Sequence, residues 1–133
     1  MTADRTAAAD DPFWAAAAEG RLSFQRCDGC GFIRWPAAGV CPECLCRSAT
    51  WTEVDGTGTL WSYVVYHRAY ASAGIPPVPY NVALVELDCG PRLLTRLAET
   101  GPGVEPGARV TVRFEDDPVY GAIPVFAPIG EPA

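Results

Sequence analysis

Two Cys-x-x-Cys pairs, Cys27–Cys30 and Cys41–Cys44, are the residues of this 133-residue chain whose spacing points most directly to chemistry. Each pair forms a tight turn that directs two thiolates into one space, and two facing turns complete a tetrahedral four-sulfur site. Gly31 follows Cys30, and glycine accepts the positive φ that lets the chain curl around a metal. Four thiolates leave no coordination position for water, so the pattern predicts a closed structural zinc ribbon.

Three alternatives to this assignment stay open. Cys46 is a fifth cysteine in the same stretch, although Cys44 gives the better spacing from Cys41 for a chelating pair. Iron could occupy four thiolates and carry an electron instead of zinc. The six cysteines could also form disulfides, which paired Cys-x-x-Cys spacing in a reducing compartment argues against.

Catalysis by the chain itself has little support in the sequence. His67 is the one histidine, so any Ser-His-Asp or Cys-His arrangement would have to use it. Cys89 could pair with it as a nucleophile, but Cys89 falls in a predicted turn on the far side of a strand from His67. The chain contains no lysine, which excludes a P-loop lysine and a lysine Schiff base. We therefore predict a chain that is not an enzyme.

The chain is acidic, and it contains enough apolar residues to form a hydrophobic core. The net charge is −6 before metal, and 49% of the residues are hydrophobic. A zinc ion held by four thiolates makes the charge more negative, which disfavours contact with a phosphate backbone. No apolar run is long enough to cross a bilayer and no secretory signal is visible, so we expect a cytoplasmic protein.

A short helix is predicted immediately before the ribbon. Asp11 can cap it, Pro12 suits its first turn and Gly20 ends it. About two helical turns do not persist alone in water, so Phe13 and Trp14 need a surface. That surface is either this chain's own ribbon or another protein, and aromatic anchors are frequent in protein interfaces. We predict that both aromatic residues contact a partner.

Strand patterns fill the remaining sequence. Strands are predicted over 21–26, 32–35, 49–54, 59–66, 80–87, 92–97, 110–115 and 123–128. The last five, separated by turns at regular intervals, are typical of a small barrel of the oligonucleotide/oligosaccharide-binding (OB) type, although periodicity alone also allows a small sandwich. We predict a disordered tail over 1–10, a helix and zinc ribbon over 11–48, a five-stranded OB-fold barrel with its own core over 49–128, and a C-terminal tail over 129–133.

The order of these parts resembles the domain-of-unknown-function-35 family over residues 11–128. The resemblance rests on Pro12-Phe13-Trp14, Glu19-Gly20-Arg21-Leu22, Gln25-Arg26-Cys27-Asp28-Gly29-Cys30-Gly31, Cys41-Pro42-x-Cys44, Gly56-x-Gly58-Thr59, Tyr63-x-Val65-x-His67-Arg68 and Pro79-Tyr80-x-Val82-Ala83-Leu84-Val85-Glu86-Leu87. It implies a mainly β chain with a rubredoxin-like zinc ribbon joined to an OB-fold barrel. Members of this family look like non-catalytic partners of thiolase-fold enzymes that handle acyl-CoA, including thiolases, acyltransferases and retro-aldolases of steroid degradation.

We therefore expect an accessory subunit that binds a thiolase-fold acyl-CoA enzyme as a separate chain and helps form its acyl-CoA site. The residues predicted to contact the partner are Phe13, Trp14, Tyr66 and Tyr70. The residues predicted to hold the phosphates or pantetheine arm of CoA are Arg68 with Arg92 or Arg96, because arginine donates two parallel hydrogen bonds to phosphate. The alternative is a single-stranded nucleic-acid-binding module in which barrel aromatics stack on bases, which the acidic charge disfavours.

Overall fold

A computed structural model describes residues 11–68, 79–101, 104–118 and 120–129 of the chain. These residues form one helix and eight strands: α1 (Asp11–Ala18), β1 (Ser23–Cys27), β2 (Ile33–Arg34), β3 (Ala49–Glu53), β4 (Thr57–Tyr66), β5 (Tyr80–Leu87), β6 (Arg92–Thr95), β7 (Arg109–Asp117) and β8 (Gly121–Pro128). The predicted N-terminal tail over 1–10, Tyr70 and residues 130–133 of the predicted C-terminal tail lie outside the described residues. No helix among the described residues is long and apolar enough to span a membrane.

The predicted helix is confirmed and packs against the chain itself. It ends as Gly20 adopts a φ of 78°, and the Arg21 amide donates to the Ala16 carbonyl at 2.9 Å. One face of α1 carries Phe13, Ala16 and Ala17 into the interior, where the helix packs on β8 and β1. The two-turn helix is therefore stabilised by tertiary contact, as its length requires.

The metal-binding stretch lies in a three-stranded antiparallel sheet of order β2-β1-β3. β3 pairs with β1 along its whole length, from Ser23 opposite Glu53 to Cys27 opposite Ala49. The segment 49–53, predicted as the start of the barrel, is thus the third strand of the ribbon sheet, because its backbone hydrogen bonds go to β1. The five-stranded sheet itself begins with β4 at Thr57.

The second sheet has the order β6-β5-β4-β7-β8 and curls until its two ends meet. Its closure runs through Leu97 and Phe126, which form a parallel bridge; the Ala98 amide donates to the Phe126 carbonyl at 2.8 Å and the Phe126 amide donates to the Arg96 carbonyl at 3.0 Å. β4 carries a register shift between Leu60 and Ser62, a bulge that helps the strand bend. The predicted five-stranded barrel is confirmed, and the open sandwich is excluded.

One hydrophobic core joins the helix, the ribbon and the barrel. It contains Phe13 of α1, Leu22 and Phe24 of the ribbon, and barrel residues including Leu60, Val85, Leu87, Leu97, Val110 and Phe126, all with 2% exposure or less. The prediction of a barrel with its own separate core is therefore wrong. The helix links the two parts, since α1 packs on β1 of the ribbon and on β8 of the barrel, and its Phe13 lies 5.9 Å from Phe24 of β1 between ring centroids.

Candidate metal centre and partner surface

The structure brings the four sulfur atoms of Cys27, Cys30, Cys41 and Cys44 within 4.8 Å of one another. The Cys27 and Cys44 sulfurs are 3.5 Å apart, and the Cys30 and Cys41 sulfurs 3.7 Å apart. A tetrahedral zinc ion with bonds of about 2.3 Å to sulfur separates its ligands by about 3.8 Å. Two of the sulfur separations are therefore close to those of a zinc site, and the donor set of four cysteines fits a zinc ion.

Backbone amides in the two turns point at the buried sulfurs. Cys27 Sγ accepts from the amides of Gly29 at 3.3 Å and Cys30 at 3.4 Å, and Cys41 Sγ accepts from the Glu43 amide at 3.4 Å. The Cys30 amide, with help from the Gly29 amide and against the effect of burial, lowers the pKa of Cys27 to about 6. The amides of the first turn thus favour the thiolate form of Cys27, the form of cysteine that binds metal.

Cys46 lies beside the metal centre but outside the four-sulfur cluster. Its sulfur is engaged with the backbone of Ser48, whose amide donates to it at 3.4 Å. The Cys41 amide donates to the Cys46 carbonyl at 2.9 Å, so the backbone of Cys46 helps close the second turn while its thiol points elsewhere. The geometry thus brings Cys44, the residue preferred on spacing, into the cluster.

Asp28 fastens the first turn to β3. Its carboxylate accepts hydrogen bonds from the hydroxyls of Ser48 and Thr50, the latter at 2.7 Å, and these two bonds lower the pKa of Asp28. The Asp28 amide donates to the Ser48 carbonyl at 2.9 Å. The metal centre is therefore joined by side chain and backbone to the strand that leads into the barrel.

The two aromatic residues of α1 have different environments. Phe13 is 1% exposed and lies 4.2 Å from the Trp35 ring, so in this conformation it cannot contact a partner. Its predicted role as a partner anchor is replaced by the alternative that it packs on the chain's own ribbon. Trp14 is half-buried and stacks on Tyr120 at 4.1 Å between ring centroids.

The distal part of β4 and β5 leaves the barrel as a two-stranded arm, defined by residues 64–66 and 80–82. The backbone ladder between β4 and β7 covers only Thr57 to Thr59, and the ladder between β5 and β6 begins only at Ala83. Val64, Val65 and Tyr66 of the arm are 53%, 41% and 36% exposed. Among the described residues no third strand lies beside the arm, and a two-stranded hairpin with apolar residues on both faces is marginal in water.

Tyr66, one of the predicted partner contacts, lies on this arm and stacks on Tyr80 at 5.1 Å between ring centroids. The valines beside it did not enter the predicted set. The run Tyr63-Val64-Val65-Tyr66 has no polar alternation, which is typical of strands covered on both faces. That signal could have identified the arm, since Val64, Val65 and Tyr66 of this run are exposed in the described part of the chain.

The structure does not bring the three predicted CoA-binding arginines together. Arg68 follows the arm, whereas Arg92 pairs with Glu86 on β5, six residues from the arm's Tyr80 and so roughly 20 Å away along the strand. The Arg92 guanidinium lies 3.6 Å from the centroid of the Trp61 ring. Arg96 forms an ion pair of 2.5 Å with Glu115. Arg68 and Arg92 therefore do not share one phosphate site, and the combination of Arg68 with Arg96 stays a prediction.

Cys89 and His67 lie at opposite ends of the β4–β5 pair. His67 follows Tyr66, which pairs with Tyr80, while Cys89 follows Leu87, which pairs with Gly58. Eight residues of strand separate these ends by roughly 25 Å. Burial, followed by the charges of two nearby aspartates, raises the pKa of the Cys89 thiol. The nucleophilic pair considered for this chain is therefore excluded.

Two protein-family models match successive segments of the chain. Residues 14–50 match the rubredoxin-like zinc ribbon domain of ChsH2, and residues 51–115 match the C-terminal OB-fold domain of ChsH2. The four-sulfur cluster thus lies in a zinc ribbon, and the curled sheet is an OB fold.

Curated relatives carry two kinds of name. The chain is 39% identical over 127 residues to a probable enoyl-CoA hydratase alpha subunit of Thermomonospora curvata, covering 90% of this chain and 37% of the relative. It is 31% identical over 96 residues to a DUF35 domain-containing scaffold protein of Methanothermobacter thermautotrophicus, covering 70% and 71%. A scaffold protein of the same name from Methanocaldococcus jannaschii is 30% identical over 79 residues, covering 58% and 55%. The chain therefore spans about a third of the first relative and about half of the last.

Two solved structures are similar in fold. A chain of a structure described as the Ltp2-ChsH2(DUF35) aldolase superposes with a TM-score of 0.79 at 35% identity, covering 90% of this chain and 93% of that one. A protein of unknown function from the DUF35 family of Sulfolobus solfataricus superposes with a TM-score of 0.58 at 22% identity, covering 78% and 76%. The second likeness supports the fold alone.

Proposed function

Because this chain belongs to the DUF35 family, we propose that it is a non-catalytic accessory subunit that binds a thiolase-fold acyl-CoA enzyme as a separate chain and helps form the acyl-CoA site of that enzyme. Relatives are named scaffold proteins, a hydratase subunit and a component of an aldolase. These names support a role in assembly with an enzyme. The closed four-thiolate zinc site supports the same role, since it offers no open position for catalysis.

The arm carries the proposal. It exposes two consecutive valines and a tyrosine on a hairpin that has two strands within the described part of the chain. Exposed apolar surface of this kind marks interaction sites on proteins that are otherwise well packed. The arm is continuous with a barrel that shares its core with the zinc ribbon. We assign the partner contact to this arm, with Tyr66 at its end.

Arg68 is the arginine placed to serve an acyl-CoA site shared with the partner. It follows the arm directly and is exposed, and Arg92 lies toward the other end of β5. A guanidinium at the edge of an apolar interface can donate two hydrogen bonds to a CoA phosphate. We propose that Arg68 contacts CoA.

Affinity purification from the native host, with the bound chain identified by mass spectrometry, tests the partner assignment. We expect the wild-type chain to recover a thiolase-fold enzyme. Val64→Asp should recover less than a tenth of it, because a charge on the arm cannot be desolvated in an apolar interface. Arg113→Asp is the matched control, since it places the same charge on an exposed position of β7. Recovery of an unrelated protein, or full recovery with Val64→Asp, contradicts the proposal.

The acyl-CoA contact is tested on the reconstituted complex. Arg68→Ala should weaken acyl-CoA binding by roughly tenfold, the loss expected for a charged hydrogen bond, without releasing the partner. Arg92→Ala is the control and should leave the affinity unchanged. Equal affinity of wild type and Arg68→Ala would remove Arg68 from the site while leaving the partner assignment intact.

A further inference from the structure

A cleft of about 610 Å³ lies where the ribbon meets the barrel. One side is the segment that follows the first Cys-x-x-Cys turn, and the other is the turn between β5 and β6. Its walls are almost entirely apolar and include Phe32, Trp35, Val40, Pro42 and Pro91. The volume is within the range of small-molecule sites, which combine apolar walls with a few placed polar groups.

The polar group of this cleft is Arg34, which is 5% exposed. Its Nε donates to Gln25 Oε1 at 2.8 Å, and its Nη2 donates to the Ala38 carbonyl at 2.8 Å. Its Nη1 is buried and donates to nothing. None of the ion pairs found within the described residues involves Arg34. The guanidinium is therefore held by two neutral acceptors and retains unused donor capacity.

A buried guanidinium without a carboxylate is unfavourable in general, because it cannot lose its proton and loses its hydration. The Gln25 amide fixes its position, since Gln25 Oε1 also accepts from the Ala38 amide at 2.9 Å. The side chain is thus pre-oriented at the wall of an apolar cleft. A carboxylate bound at this wall would neutralise the charge, and a small shift of the side chain would give it Nη1 as a donor.

We propose that this cleft binds a small carboxylic acid with an apolar body, the carboxylate pairing with Arg34 and the body packing between Phe32, Val40 and Pro91. The scarcity of other polar groups in the walls favours such an amphipathic acid over a sugar or a nucleotide. The cleft includes Cys89 and Gly90 at one end of β5, whereas the arm is at the other end of that strand. The site is consequently independent of the proposed partner contact.

The binding test uses the full zinc-loaded chain and the probe pair 4-phenylbutyrate and 4-phenylbutyramide, which differ only in the charged group. We expect saturable one-to-one binding of the acid by titration calorimetry and at least tenfold weaker binding of the amide. Arg34→Met should weaken the acid at least tenfold and abolish the difference between the probes. Arg47→Met, which removes an exposed arginine of the ribbon, should bind as wild type.

Alkylation of Cys89 gives a second readout. Cys89 lines the cleft, so saturating 4-phenylbutyrate should slow its reaction with iodoacetamide, followed by peptide mass spectrometry, at least fivefold. The amide at the same concentration should have little effect. Cys46, which lies outside the cleft lining, is the internal control and should react at an unchanged rate.

Val40→Trp keeps Arg34 and fills the cleft, so it tests the site even where Arg34→Met fails to fold. It should lose acid binding while retaining zinc. Equal affinity for acid and amide in the wild type, or undiminished acid binding in Val40→Trp, overturns the proposal. So does an Arg34→Met variant that releases zinc but binds the acid as before, which would mean that Arg34 only balances the charge of the thiolates.

Discussion

Leu45 occupies in the second Cys-x-x-Cys turn the position that Gly31 occupies in the first. Both residues have positive φ, 67° for Leu45 and 83° for Gly31. The amide of each donates at 2.9 Å to the carbonyl of the first cysteine of its turn, Cys27 or Cys41. The two halves of the metal centre are thus built alike, yet one uses glycine where the other uses a leucine that is 74% exposed.

We expect Leu45→Gly to increase the free energy of unfolding by about 0.5–1 kcal/mol. A left-handed conformation costs a leucine about 1–2 kcal/mol, and the greater freedom of glycine in the unfolded chain offsets about 0.4–1 kcal/mol of the relief. Urea denaturation of the zinc-loaded protein measures the change. Gly31→Ala is the reciprocal variant and by the same reasoning should lose about 0.5–1 kcal/mol. A Leu45→Gly variant as destabilised as Gly31→Ala would show that the leucine makes a stabilising contact.

Removal of zinc should unfold the barrel as well as the ribbon. Structural zinc contributes about 10–16 kcal/mol in finger peptides, and here β1 ends at the ligand Cys27 while its Phe24 lies in the core shared with the barrel. Chelation should therefore abolish amide protection in β5 and β7 together with the near-ultraviolet signal of the tryptophans. Cys27→Ser should behave in the same way.

The control for zinc removal is Cys46→Ser, which should retain one zinc per chain because its sulfur lies outside the cluster. Persistent hydrogen-exchange protection of the barrel strands after chelation would mean that the barrel is stable on its own. That result would restore the view of two separate cores, which the contacts of Phe13 and Phe24 contradict.

Short-range sequence patterns were sufficient to predict the metal centre and most strands. The cysteine spacing needs only short-range geometry to predict a four-sulfur cluster, and Gly31 supplies the positive φ that its turn requires. The bounds predicted for β5 are those observed, Tyr80–Leu87, because that strand is β-branched and ends at a turn of Asp, Gly and Pro. These features depend on neighbouring residues and can therefore be predicted from the local sequence.

Contacts between segments that are distant in the sequence could not be predicted in the same way. The segment Ala49–Glu53 has strand character, but nothing in it indicates that its hydrogen bonds go to β1 and not to β4. Phe13 posed a similar problem, because an aromatic residue on a short helix is equally compatible with a core and with an interface. Both outcomes were decided by how the helix, ribbon and barrel share their apolar faces, which is a property of the assembled fold.

Phe13→Ala should destabilise the isolated chain by about 3–5 kcal/mol, the usual loss for a buried phenylalanine. Phe13 is 1% exposed and contacts the rings of Trp14, Phe24 and Trp35. Thermal and urea denaturation of the purified chain measure the loss without any partner present. Trp14→Ala is the control and should lose less, because Trp14 is only half-buried. A stability change below 1 kcal/mol in Phe13→Ala would indicate that its surroundings are loosely packed.

Asn81 joins the base of the arm to the segment after β6 by side-chain hydrogen bonds, beyond the end of the backbone ladder between β5 and β6. Its Oδ1 accepts from the Leu97 amide at 2.7 Å and its Nδ2 donates to the Leu97 carbonyl at 3.2 Å. Leu97 is 1% exposed and bridges Phe126, so Asn81→Leu leaves a buried amide unpaired at the closure of the barrel and should cost about 1–3 kcal/mol. Asn81→Asp keeps the acceptor for the Leu97 amide and should lose less. The hydrogen-exchange rate of the Leu97 amide distinguishes the two variants, since it should rise strongly only in Asn81→Leu. Equal exchange rates in both variants would mean that the bridge between Leu97 and Phe126 closes the barrel without help from Asn81.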